Sequence, residues 1–155
     1  MMYTELNKKM LSLLSEEDSL VTNLSNASAL LNEYLDDINW VGFYCREGNK
    51  LFLGPFQGKV ACVTIPMGRG VCGTAAEKGE TIVVKDVHQC PGHIACDCAS
   101  NSEIVIPIFD GDTVVGVLDI DSPSLNRFTE EDKNGLEPVA DAIGKIWSKS
   151  QKSLF

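Results

Sequence analysis

Apolar residues along the first third of the chain fall on helical spacing. Leu6, Met10, Leu13 and Leu14 share one face, and Leu20, Leu24, Leu31 and Leu35 recur at the same period, so helices are predicted over about 3–36. Ser15 followed by Asp18 reads as the N-terminal cap of the second helix. From residue 38 the pattern shortens to that of strands, predicted at 40–44, 51–53, 61–65, 81–84, 103–109 and 113–120, within a sheet region of about 38–122. Asp110-Gly111-Asp112 between the last two is a hairpin turn, because glycine accepts a positive φ there. Thr129 with Asp132 opens a closing helix over about 129–148, whose Leu136, Val139, Ile143 and Trp147 face the core, with Pro138 expected to start or kink its regular part. Helices at both ends and a six-stranded, mostly antiparallel sheet between them predict an α+β fold with helices packed on the sheet.

The sequence shows no internal repeat, low-complexity tract or linker, and 155 residues with 44% hydrophobic composition suit one domain spanning 1–155. A formal net charge of −9 is opposite to the basic footprint that binds phosphate backbones, so nucleic acid is not an expected partner. The run Met10-Leu11-Ser12-Leu13-Leu14 is too short and interrupted for a signal or a membrane span, and a cytoplasmic protein that does not engage membranes is expected. In a reducing compartment six cysteines point to catalytic, redox or metal-binding roles rather than to permanent staples. Cys45, at the end of an apolar run, is read as a core residue. Gly68-Arg69-Gly70-Val71-Cys72-Gly73 matches a dinucleotide-binding pattern, but too few residues separate it from the strand at Thr81 for a parallel crossover, and no cofactor is expected.

Cys96 lies in the run Pro91-Gly92-His93-Ile94-Ala95-Cys96-Asp97, a polar loop with His88 and His93 close in sequence. A thiol attacks as thiolate, and such a setting lowers its pKa from about 8.5. A sulfenic acid formed there needs a second thiol to resolve it, and Cys62 or Cys72 can supply one if the fold brings them close. Cys62 is placed in an apolar strand, where it would be inert if buried. Cys72 follows two glycines, a setting in which the chain moves. His88, Cys90, His93, Cys96 and Cys98 offer zinc ligands, yet the paired short spacings of zinc sites are absent, and no metal is expected. Glu103 enters one strand, and Asp119 and Asp121 point to one face of another. Carboxylates so grouped grip an ammonium group, and crowding holds one of them protonated as a hydrogen-bond donor. Trp40 and Tyr44, also on one strand face, can wall a small apolar pocket. Solvent-facing acids at a strand end and aromatic residues packed in the core are the plain alternatives.

The chain resembles the free methionine-(R)-sulfoxide reductases, a family built on the GAF domain. The resemblance runs in order through Trp40-Val41-Gly42-Phe43-Tyr44, residues 54–62, Gly70-Val71-Cys72-Gly73-Thr74-Ala75, Gly92-His93-Ile94-Ala95-Cys96-Asp97, Ser102-Glu103-Ile104 and Leu118-Asp119-Ile120-Asp121-Ser122. It implies a GAF-like fold and thiol-dependent reduction of free L-methionine (R)-sulfoxide. Cys96 would be the nucleophile, Cys62 and Cys72 the recycling candidates, and thioredoxin the reductant. It implies that Glu103, Asp119 and Asp121 line the substrate site, with Trp40 and Tyr44 around the methyl group. Cys90 and Cys98 depart from the family pattern. A homodimer through the terminal helices is expected of such a domain, and a GAF sensor that binds a small ligand without turnover is the alternative.

Overall fold

A computed structural model describes residues 1–89 and 100–150 of the chain. The elements follow in the order α1 (Met2–Leu13), α2 (Leu20–Tyr34), β1 (Trp40–Glu47), β2 (Lys50–Gly58), β3 (Thr64–Pro66), α3 (Gly70–Lys78), β4 (Ile82–Val84), β5 (Ser102–Asp110), β6 (Thr113–Ser122) and α4 (Glu130–Trp147). The six strands form one sheet in the order β3-β2-β1-β6-β5-β4, and each neighbouring pair is antiparallel. The architecture of the described residues is therefore the expected α+β one, a six-stranded antiparallel sheet with four α-helices.

Alternation along the strands divides the apolar residues between two faces. Val41, Phe43, Ile104, Ile106, Ile108, Leu118 and Ile120 meet α1, α2 and α4 through Leu6, Met10, Leu24, Leu31, Leu136, Val139 and Ile143. Burying each of these larger side chains stabilises the fold by roughly 1.5–3 kcal/mol before ordering costs. The opposite face carries Trp40, Tyr44, Val105 and Val117, covered in part by α3 through Val71, Cys72 and Ala75. The hairpin at Gly111 has the left-handed backbone that its sequence calls for (φ +64°), and Thr129 and Asp132 form a reciprocal capping box on α4.

Several expectations are corrected. The N-cap of α2 is Ser19, whose hydroxyl accepts from the Thr22 amide, while Ser15 is tied by its backbone to the Asn23 side chain in the preceding turn. Pro138 lies inside α4, which begins eight residues earlier at Glu130 and runs on to Trp147. The predicted strand at 61–65 shrinks to Thr64–Pro66, because only Lys50, Leu51 and Phe52 of β2 pair there. α3 was not foreseen. Its glycine-rich opening serves the turn from β3: Gly68 and Gly70 have φ of +81° and +63°, and a Cβ on Gly73 would meet the Pro66 carbonyl at 2.4 Å.

Candidate active site

The central strand of the site is β6, flanked by β1 and β5. Asp121 stands opposite Trp40 on one side and Glu103 on the other, and Asp119 stands opposite Gly42 and Val105. Residues opposite one another on adjacent antiparallel strands have Cβ atoms about 4.5–5.5 Å apart, so the register itself sets Glu103, Asp121 and Trp40 side by side. α3 closes over this row and brings the Cys72 Sγ within 4.8 Å of carboxylate oxygens of Glu103 and Asp119. A cleft results, lined by Trp40, Tyr44, Cys72, Glu103, Asp119 and Asp121 together with Ala61, Arg69, Val71 and Ser100. Arg69, Ala61, Val71 and Ser100 went unrecognised in the sequence. The one signal for Arg69 is its place in Gly68-Arg69-Gly70, immediately before α3, where it is the N-cap residue.

The aromatic wall depends on a local irregularity. A shift in the β1–β2 register between Gly42 and Tyr44 turns Phe56 against the sheet, and a Cβ on Gly42 would lie 2.2 Å from the Phe56 Cβ. Phe56 stacks on Trp40 with centroids 5.1 Å apart and rings 15° from parallel. Trp40 in turn stacks on Tyr44 at 6.1 Å and 23°.

Burial governs the charge state of the cleft. Glu103 is 4% exposed, and desolvation, reinforced by the neighbouring Asp121, raises its carboxyl well above the ordinary carboxylate range, with a hydrogen bond to Asp119 acting in the opposite sense. Cys72 is also 4% exposed; burial, then the charges of Asp119, Glu103 and Asp121, push its thiol well above its usual range, and it hydrogen-bonds Asp119. Tyr44 is shifted upward by the same causes, burial first and Asp119 next. Cys72, Glu103 and Asp119 offer three donor atoms within 4.8 Å of one another, and burial together with the neighbouring acids favours the neutral forms of Cys72 and Glu103.

The cysteines separate by environment. Cys45 and Cys72 are free thiols; Cys45 packs against the core on the far side of the sheet, and burial raises it to about 11. Cys62 is disulfide-bonded. It is not in a strand, as the apolar run suggested, but half-buried in the segment between β2 and β3. Cys72 does not stand in a mobile glycine loop; it is buried in the first turn of α3. Cys90, His93, Cys96 and Cys98 lie outside the described residues. Of the zinc-ligand set only His88 is described, with its Nε2 3.0 Å from Asn101 Oδ1. Among the described residues no helix is long and apolar enough to cross a membrane.

The chain matches the GAF domain family over residues 15–148. It is 50% identical to the free methionine-R-sulfoxide reductase of Escherichia coli (strain K12) over 153 residues, covering 99% of this chain and 93% of that protein. The fRMsr of Staphylococcus aureus, solved in complex with substrate, superposes with a TM-score of 0.88 at 56% identity, covering 93% of this chain and 94% of that one. The free methionine-R-sulfoxide reductase from Neisseria meningitidis, in complex with its substrate, gives 0.92 at 43% identity, covering 97% and 91%. Identity of this extent over nearly the whole length, joined to an acid-lined cleft with an aromatic wall, settles the family: the chain is a GAF-domain protein and belongs to the free methionine-R-sulfoxide reductases.

Proposed function

We propose that the protein reduces free L-methionine (R)-sulfoxide to methionine, with Cys96 as nucleophile and thioredoxin as the terminal reductant. The observation that carries this reading is the buried Glu103, its carboxyl raised by burial and by Asp121, set across the cleft row from the Trp40–Tyr44 wall. A sulfoxide needs a proton delivered to its oxygen and an apolar seat for its methyl group, and this row supplies both. Cys96 thiolate attacks the sulfoxide sulfur, Glu103 donates to the oxygen, and the oxygen is carried to Cys96 as a sulfenic acid while methionine departs. Asp119 and Asp121 hold the substrate ammonium. Cys62 thiolate then attacks the sulfenic sulfur, an S–S bond forms, and hydroxide leaves and is protonated to water. The thioredoxin dithiol supplies two electrons to reopen the disulfide.

Cys62 rather than Cys72 is the resolving residue in this scheme. It is already disulfide-bonded, whereas Cys72 is a buried thiol held in its protonated form. The cytoplasm, where thioredoxin is kept reduced, is the location this implies. A homodimer through the terminal helices belongs to the same proposal.

Consumption of NADPH through thioredoxin reductase and thioredoxin, dependent on free methionine (R)-sulfoxide, tests the function. Turnover with the R epimer and none with the S epimer is expected. Tight binding without NADPH consumption would identify a non-catalytic GAF sensor instead. The acid role of Glu103 has its own signature. Because its carboxyl titrates well above the ordinary range, the rate is expected to hold above the usual carboxylate range and fall only as pH rises through that elevated value. Glu103→Gln keeps the shape but has no acidic proton to give, so kcat should drop by about 10²–10⁴. A pH profile with its alkaline limb unchanged in that variant would exclude Glu103 as the acid.

A further inference from the structure

We propose that Tyr44, beyond walling the cleft, is a positioning residue for Cys62: its hydroxyl fixes the backbone from which the disulfide-forming sulfur projects. The segment 59–63 is neither helix nor strand. Val60 and Val63 are 87% and 69% exposed, and only Ala61 and Cys62 pack in part on the core, so side-chain packing alone holds it weakly. Three of its carbonyls do hold it. Lys59 O accepts from Trp40 Nε1 at 3.1 Å, Cys62 O accepts from the Tyr44 hydroxyl at 3.0 Å, and Val63 O accepts from the Leu53 amide at 2.9 Å. The first two donors are side chains of the aromatic wall, so that wall and the redox segment are one hydrogen-bonded unit.

The Tyr44 contact falls on the decisive residue. The carbonyl carbon of Cys62 is bonded to the Cα that carries its side chain, so fixing one fixes the root of the other. A disulfide tolerates Cα separations of about 4.4–6.8 Å and a narrow range of dihedral angle, so an untethered segment spends less time where bonding is allowed. Tyr44 is 2% exposed, and burial among acids keeps its phenol protonated, hence a donor at every pH at which the protein works.

The inference rests on Cys62 being the resolving sulfur, and its test is arranged to stand apart from the substrate assignment. Tyr44→Phe keeps the ring and removes the hydroxyl. The full-length variant is equilibrated with mixtures of reduced and oxidised glutathione, without methionine sulfoxide, and the Cys62 disulfide is quantified by alkylation and peptide mass. The loss of one partly buried hydrogen bond should shift this equilibrium roughly five- to tenfold toward the reduced form. Trp40→Phe, which removes the bond three residues away, should shift it in the same direction by less. A second readout uses one equivalent of methionine (R)-sulfoxide: sulfenic acid trapped by dimedone, normalised to methionine formed, should rise in Tyr44→Phe as the disulfide lags. An unchanged glutathione equilibrium in both variants overturns the proposal, even if turnover falls, because Tyr44 would then act on substrate alone. A shifted equilibrium in a protein whose wild type never turns over methionine sulfoxide supports the positioning role and removes only the substrate assignment.

Discussion

Cys96→Ser is expected to reduce methionine formation to the uncatalysed background while leaving the fold intact. A serine hydroxyl offers no alkoxide near neutral pH and is a poor nucleophile toward sulfur, and none of the free thiols described can take over. Cys45 lies across the sheet with its thiol raised to about 11, and Cys72 is buried and protonated. The other cysteines should fail differently. Cys62→Ser should form one equivalent of methionine per chain and then stall, since the sulfenic acid has lost its partner. Cys72→Ser should go on cycling. Methionine quantified by chromatography after rapid mixing, beside the NADPH time course, separates the three behaviours. Methionine release by the Cys96 variant at the wild-type rate would remove it as nucleophile, and a stalled Cys72 variant would return that residue to the recycling path.

The second large effect concerns the substrate's amine. N-acetyl methionine (R)-sulfoxide should be a poor substrate, with kcat/KM lower by a factor of roughly 10²–10³ or more. Acylation removes the ammonium charge, and the acids that would have faced it are left without it in a largely buried row, a loss approaching that of breaking a buried ion pair, about 3–5 kcal/mol. Asp119 is 6% exposed and Asp121 half-buried, so water replaces the lost partner only in part. Equal kcat/KM for the free and acetylated forms would mean that the carboxylates serve another end, and the enzyme would then accept the residue within peptides.

The parts of the site that could be read in the sequence are those set by local periodicity. Asp119 and Asp121 alternate around Ile120, which settles that they share a face, and the Asp110–Asp112 turn and the Thr129–Asp132 cap follow from short-range backbone chemistry. That Glu103 meets Asp121, and that Trp40 flanks it on the other side, depends on strand order and register, which no single strand encodes. α3 was hidden because Gly70-Val71-Cys72-Gly73-Thr74-Ala75 has weak helix propensity. It forms because Gly73 can approach Pro66 closely and its apolar face packs on the sheet. The run from Ala61 to Ile65 has strand composition but pairs only at its end, so composition placed Cys62 in a strand where hydrogen bonding leaves it in a connecting segment.

Glu103 has a thermodynamic consequence for the whole chain. Unfolded, its carboxyl titrates near the ordinary 4.5; folded, it holds its proton to a much higher pH. Between those two values the folded state binds a proton that the unfolded chain has released, so unfolding liberates one. Its contribution to stability is complete below the lower value and is lost as pH rises toward the higher one, by about 1.4 kcal/mol per pH unit. The same buried carboxyl therefore makes this fold progressively easier to unfold as pH rises above the ordinary carboxylate range, and a glutamine at the same position would be the more durable residue there.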